Sequence, residues 1–125
     1  MCIRDRFYFL KDTCCDAALI RRKLAAVADT RLKLFNANAQ TLLETLRAGA
    51  AGYSGVMANF HPALYSQLCA WARQGLGEQA QTQQLQALLC LYAFTESMAY
   101  PVTAKYHMNL VGVPMALYTL SLIHI

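Results

Sequence analysis

Charge is scarce in this 125-residue chain: only 14% of the side chains are Asp, Glu, Lys or Arg, and 11 basic residues against 7 acidic ones leave a formal net charge of +4. The basic residues are scattered, Arg21-Arg22-Lys23 being their only cluster. That is too thin a footprint for DNA or RNA, so no nucleic-acid partner is expected. Long apolar runs are also missing. None reaches the roughly 18 residues that span a bilayer, and Met1-Cys2-Ile3-Arg4-Asp5-Arg6 lacks the n-region and apolar h-region of a secretory signal. The expectation is a soluble, cytoplasmic protein with no membrane partner. Five cysteines, two of them adjacent at Cys14 and Cys15, fit neither a paired disulfide framework nor CxxC zinc spacing, so reduced thiols and no metal site are expected. What is abundant is apolar side chains, 57% of the total, enough to pack a core and too many for a disordered segment.

The two ends read back into DNA. Met1 to Arg6 can be written ATG TGT ATA AGA GAC AGN, and Leu120-Ser121-Leu122-Ile123-His124-Ile125 can be written CTG TCT CTT ATA CAC ATC. These are reverse complements, and they match the transposon mosaic-end adapter used to prepare sequencing libraries. Residues 1–6 and 120–125 are therefore expected to be translated adapter, a processing scar to be set aside before fold reasoning. On that reading Cys2 and His124 carry no function, and neither terminus is a natural boundary.

Between the ends, strand and helix signals alternate. The aromatic and aliphatic run Phe7-Phe9-Leu10, with Tyr8 inside it, followed by polar Lys11-Asp12-Thr13, predicts a buried strand running into a loop. Asp16 starts an amphipathic helix through about Ala28, with Leu19, Leu24 and Val27 on one side. Leu32-Lys33-Leu34-Phe35 predicts a second strand, Asn36-Ala37-Asn38 a polar loop, and Thr41 to Ala48 a helix ended by Gly49 at C′. Residues 52–58, rich in small side chains, predict a third strand closed by Asn59. Pro62 suits the first turn of a helix that runs to about Gln74 and stops at Gly75. Further helices are expected from Glu78 to about Ser97 and from Val102 to about Val111.

Three βα units with short connections imply a parallel sheet with right-handed crossovers. Parallel strands are normally covered on both faces, and a (β/α)8 barrel takes roughly 250 residues, about twice what is present. The expected fold class is therefore α/β, the C-terminal portion (strands six to eight) of a TIM barrel over residues 7–76, with a helical extension over 77–119. A small doubly wound domain is the runner-up, but neither GxGxxG nor a Walker-type phosphate loop is present.

Three strings carry a family resemblance: Phe9-Leu10-Lys11-Asp12-Thr13, then Leu34-Phe35-Asn36-Ala37-Asn38, then residues 47–62 from Arg47-Ala48-Gly49 through Tyr53-Ser54-Gly55-Val56-Met57 to His61-Pro62. In order and in gaps they resemble the dihydrodipicolinate synthase and N-acetylneuraminate lyase family, over essentially 7–119. Tyr100-Pro101-Val102-Thr103-Ala104-Lys105-Tyr106 is similar to that family's Pro-containing start of a late helix. The resemblance implies a (β/α)8 barrel, usually tetrameric, so the parent protein is expected to be a homo-oligomer. It also implies that Lys11, followed by an acidic and a hydroxyl residue at the end of strand six, forms a Schiff base with pyruvate or another 2-oxo acid. Ser54 and Gly55 fall where family members line the 2-oxo acid pocket, and Asn36 and Ala37 belong to the loop facing the variable part of the substrate. Ala39 and Gln40 stand where sialic-acid lyases tend to carry acidic residues, which counts against a sialic-acid substrate.

Chemistry is consistent with that placement. An amine must lose its proton to attack a carbonyl, and a desolvated site at the end of a barrel strand favours the neutral form. The imine is then its own electron sink, stabilising the enamine formed when a carbon–carbon bond is made or broken beside the former carbonyl, so no cofactor or metal is expected. The partners expected are a small 2-oxo acid and an aldehyde. Plainer roles suit the remaining candidates: Asp12 and Thr13 as loop or helix-start residues, Cys14-Cys15 as fillers of small apolar space, His61 at a helix start, His107 at a surface or interface, and Gln79, Gln81, Gln83, Gln84 and Gln86 on a packing helix. The family's strand-five tyrosine and strand-two hydroxyl pair would lie upstream of Phe7. The parent is thus expected to be a class I aldolase or lyase, and this stretch alone to be inactive. The contrasting reading is a small non-enzymatic helical interaction module, in which Arg21-Arg22-Lys23 and the apolar late helices bind a partner.

Overall fold

The structure, a computed structural model, describes residues 6–118. Cys2 and His124, and all but Arg6 of the expected adapter stretches, lie outside those residues. Three short parallel strands, β1 (Phe9–Asp12), β2 (Lys33–Asn36) and β3 (Gly52–Tyr53), form one sheet in the order β1-β2-β3. Between them run α1 (Ala17–Val27) and α2 (Leu42–Arg47); α3 (Pro62–Arg73), α4 (Ala80–Glu96) and α5 (Val102–Leu110) follow. Among the described residues no helix is long and apolar enough to cross a membrane.

Local chemistry accounts for the helix boundaries. Asp16 caps α1, its carboxylate accepting the Leu19 N–H at 3.0 Å. Gly49 ends α2 with φ +100°, a left-handed conformation that side-chain-bearing residues resist. Pro62 occupies the first turn of α3, where its missing N–H costs nothing.

Two strand expectations need correction. The first strand begins later and runs further than Phe7–Leu10, so Lys11 and Asp12 are strand residues, paired in register with Phe35 and Asn36, rather than loop residues. The third strand is only Gly52–Tyr53; the rest of 52–58 turns away, and Val56–Asn59 forms a 3-10 turn. Small side chains at 54 and 55 suit a strand in sequence, whereas the Ala58 N–H reaches back to the Gly55 carbonyl at 3.2 Å and closes a turn.

Strand alternation gives the sheet two unlike faces. Asp12, Leu34 and Asn36 point to the helix side and are buried; Leu34 packs with Ile20, Leu24 and Ala50. Phe9, Lys11, Phe35 and Gly52 share the other face, where the Phe9 and Phe35 rings stack with centroids 4.6 Å apart and a Cβ on Gly52 would touch the Phe35 ring. Around Phe9 and Lys11 that face is open, both residues being exposed, whereas Phe35 and Gly52 lie beside Tyr65, Cys69 and Arg73 of α3. The larger core lies beyond β3, where Leu42, Leu46, Met57, Tyr65, Leu68 and Leu89 bring α2, the 3-10 turn, α3 and α4 together.

Candidate active site

Parallel strands deliver their C-terminal ends to one edge of the sheet, and ligand sites of α/β proteins are built there. At that edge Lys11 and Asp12 end β1, Asn36 and Ala37 leave β2, and Ser54 and Gly55 leave β3. Backbone hydrogen bonds continue past the strands and hold the three exits side by side. The Ala37 N–H donates to the Asp12 carbonyl at 2.9 Å, and the Ser54 N–H donates to the Asn36 carbonyl at 2.8 Å. Gly55 then approaches so closely that a Cβ there would overlap the Ala37 carbonyl oxygen and the Tyr53 hydroxyl. The structure thus brings all five residues singled out in the sequence, Lys11, Asn36, Ala37, Ser54 and Gly55, to one edge.

Their side chains are differently placed. Lys11 stands exposed on the uncovered face. Asp12, its neighbour, points the opposite way and is buried, ion-paired to Lys23 of α1 and accepting the Cys14 N–H at 2.9 Å. Burial pushes the Asp12 carboxyl up, but the hydrogen bonds from Cys14 and Lys23 together outweigh it and hold the group below its ordinary value. The hydrogen bond to Asp12 raises the Lys23 ammonium above its own ordinary value. Asp12 therefore anchors α1 to the strand end that carries Lys11.

Asn36 is fully buried, and its amide is committed. It donates to the Thr41 and Thr45 hydroxyls, each at 2.9 Å, and accepts the Asn38 N–H at 2.7 Å. Asn38 in turn accepts the Thr41 N–H at 3.0 Å. Asn36 thus shapes the 36–41 loop from within, and Ala37, half-buried, is the residue of that loop placed at the edge.

Several participants escaped the sequence reading. In the sequence Lys23 belongs to a basic cluster, and nothing short of the strand's true length aims Asp12 at it. Tyr53 stacks on Tyr65 with ring centroids 4.2 Å apart and interplanar angle 8°, its hydroxyl buried against Gly55. Burial pushes both phenols up, so both stay neutral across the physiological range. Gln86 of α4 reaches the same loop: its Oε1 accepts the Leu43 N–H at 3.0 Å and its Nε2 donates to the Ala39 carbonyl at 2.8 Å.

Other candidates fall away from the edge or differ from expectation. Cys14 and Cys15 are both exposed in the turn after β1 rather than filling apolar space, because β1 extends to Asp12 and leaves them in the connection to α1. His61 starts α3 as expected and meets Glu96 at 2.5 Å. His107 is half-buried, edge-on to His61 and Phe60 at 5.3 and 5.4 Å, within an aromatic cluster. Among the described residues no group of three or more His, Cys, Asp or Glu side chains is arranged to hold a metal.

Comparison with known proteins finds the chain similar to one family. The model of the dihydrodipicolinate synthetase family matches residues 7–121. A Pseudomonas aeruginosa protein assigned as a dihydrodipicolinate synthetase superposes with TM-score 0.75 at 26% identity, over 93% of this chain and 39% of that one. A Thermus thermophilus protein assigned as a dihydrodipicolinate synthase gives TM-score 0.74 at 25% identity, over 86% of this chain and 36% of its own. The chloride-inhibited dihydrodipicolinate synthase of Acinetobacter baumannii, solved with pyruvate, shares the fold with TM-score 0.70 at 24% identity, over 89% of this chain and 38% of that one. No curated protein matches the chain. The chain spans less than two fifths of the length of these solved structures.

Proposed function

The chain belongs to the dihydrodipicolinate synthetase family, and from that premise we propose that it is part of a class I lyase or aldolase in which Lys11 forms a Schiff base with pyruvate or another 2-oxo acid. The whole enzyme then condenses that acid with an aldehyde or releases one from it. In this proposal β1, β2 and β3 are the sixth, seventh and eighth strands of a (β/α)8 barrel, α4 and α5 belong to its helical extension, and residues 1–6 and 120–125 are translated adapter. The observation that carries it is the position of Lys11: the C-terminal end of a parallel strand, exposed on the sheet face opposite the buried Asp12, Leu34 and Asn36. In a closed barrel that face is the interior, where a bound 2-oxo acid would meet the Lys11 amine away from bulk water.

The remaining residues take roles the geometry allows. Ser54 and Gly55, which leave β3 at the same edge as Lys11 but two strands away, take the carboxylate side by resemblance to the family, Gly55 itself being packed against the Ala37 carbonyl and the Tyr53 hydroxyl, and Ala37 with its neighbours borders the aldehyde side. Asn36 acts one layer further out, holding that loop in shape. Attack of the Lys11 amine on the ketone carbon, followed by loss of water, gives an iminium. Electrons from the broken or newly acidic bond flow into it and form the enamine, and no added electron sink is needed. The partners are small molecules, the whole protein is a cytoplasmic homo-oligomer, and the isolated chain, with Lys11 uncovered, is inactive.

Trapping tests this directly. Treating the full-length protein with pyruvate and borohydride should reduce the imine to a stable secondary amine at Lys11, located by peptide mapping, and Lys11→Ala should abolish it. An adduct elsewhere, or full turnover by Lys11→Ala, refutes the assignment.

A further inference from the structure

Resting on that reading, the geometry points to Gln86, on the helical extension, as a positioning residue for the aldehyde side of the site. α4 buries Thr82, Leu89 and Ala93 on its inward stripe, and Gln86 lies on the same stripe one turn from Thr82. Gln79, Gln81, Gln83 and Gln84 all face solvent. A polar side chain on an inward stripe must find partners, and Gln86 finds two on the same piece of backbone. Its Oε1 accepts the Leu43 N–H at 3.0 Å, one of the N-terminal donors that α2 leaves free, and its Nε2 donates to the Ala39 carbonyl at 2.8 Å. Both amide atoms are thus oriented by the backbone, because a main-chain N–H only donates and a main-chain carbonyl only accepts.

This clamp grips the 36–41 loop from outside while Asn36, Thr41 and Thr45 hold it from within. Ala37, at the edge beside Gly55, lies two residues from the clamped Ala39 carbonyl. Moving Ala39 therefore moves the wall that the aldehyde meets, whereas Lys11 is carried by a different strand. Gln86 touches no reacting atom; it acts through the loop.

Gln86→Glu separates this role from simple packing, since it keeps the size and the Leu43 bond but turns a carboxylate oxygen toward the Ala39 carbonyl. In the full-length enzyme the expected result at neutral pH is a KM for the aldehyde raised on the order of tenfold, with borohydride trapping of pyruvate at Lys11 unchanged. Acidification that protonates Glu restores a donor and should bring the aldehyde KM back toward wild type, a recovery that Gln86→Leu cannot show. Amide exchange should also quicken at Leu43 in Gln86→Leu. If Lys11 traps pyruvate in both variants while the aldehyde KM stays at the wild-type value, the inference is overturned and the Schiff-base reading stands. If wild-type enzyme traps nothing at Lys11, that reading falls and takes this one with it.

Discussion

Asp12 and Lys11 are adjacent in sequence yet face opposite sides of the sheet, and each takes its role from that. Lys23→Met leaves the buried Asp12 carboxylate without its counter-ion, a change expected to cost about 1 kcal/mol, below the value for a fully buried pair because Lys23 is partly solvated. The linkage has two edges. Asp12 is held below its ordinary 3.8, so its contribution is present above that pH and lost as pH falls through the folded-state value. Lys23 is raised above its ordinary 10.5, so its contribution is present below that pH and lost as pH rises through its folded-state value. Denaturation midpoints of wild type and Lys23→Met should therefore differ by a constant amount across the neutral range and converge below about pH 3.8 and above about 10.5. A constant gap at all pH values would show that the pair contributes nothing. Asn36→Ala strips partners from the Asn38 N–H and from two threonine hydroxyls inside the loop. It should lower stability by about 1–3 kcal/mol in urea unfolding, and a smaller loss than 0.5 kcal/mol or so would mean water replaces the amide.

Helices and loops show what local sequence controls. α1, α2 and α3 begin and end within a residue or two of the positions their caps dictate, because Asp16, Gly49 and Pro62 act on the backbone beside them. The strands moved because nothing local bounds them. Lys11-Asp12 looks like a polar loop until β2 supplies hydrogen bonds that draw both residues into the sheet. The turn at 54–59 depends in the same way on Gly55 meeting the Ala37 carbonyl, a contact between residues of different strands. Gly55→Ala should disturb that junction, lowering stability by about 1–3 kcal/mol and weakening pyruvate trapping at Lys11 in the full-length protein. Wild-type stability and trapping would show that the turn opens without cost.

For the molecule as a whole the telling feature is apolar surface without cover. Phe9 on the open sheet face, Leu91 and Phe94 along α4, and Met98 just past its end are all more than half exposed, unlike the scattered single residues of an ordinary monomer surface. The isolated chain should bind an apolar dye such as ANS and associate as its concentration rises in sedimentation velocity, whereas the full-length protein should do neither through these faces. A dye-silent monomer at all concentrations would mean that the chain covers them by itself.

By itself the sequence determined the family, the helices and which stretches meet at the edge, since caps, apolar spacing and short strings such as Phe9-Leu10-Lys11-Asp12-Thr13 act or read locally. The helical spacing of Gln86 from Thr82, Leu89 and Ala93 also sets it apart in the sequence from the other four glutamines of that helix region. Only the tertiary structure decided where the strands end, that Asp12 turns to Lys23 and away from Lys11, that the Asn36 amide is used up inside its loop, and that Gln86 grips that loop. Each of these depends on partners between five and about fifty residues away along the chain, whose positions follow from how sheet and helices pack and not from the residues beside them.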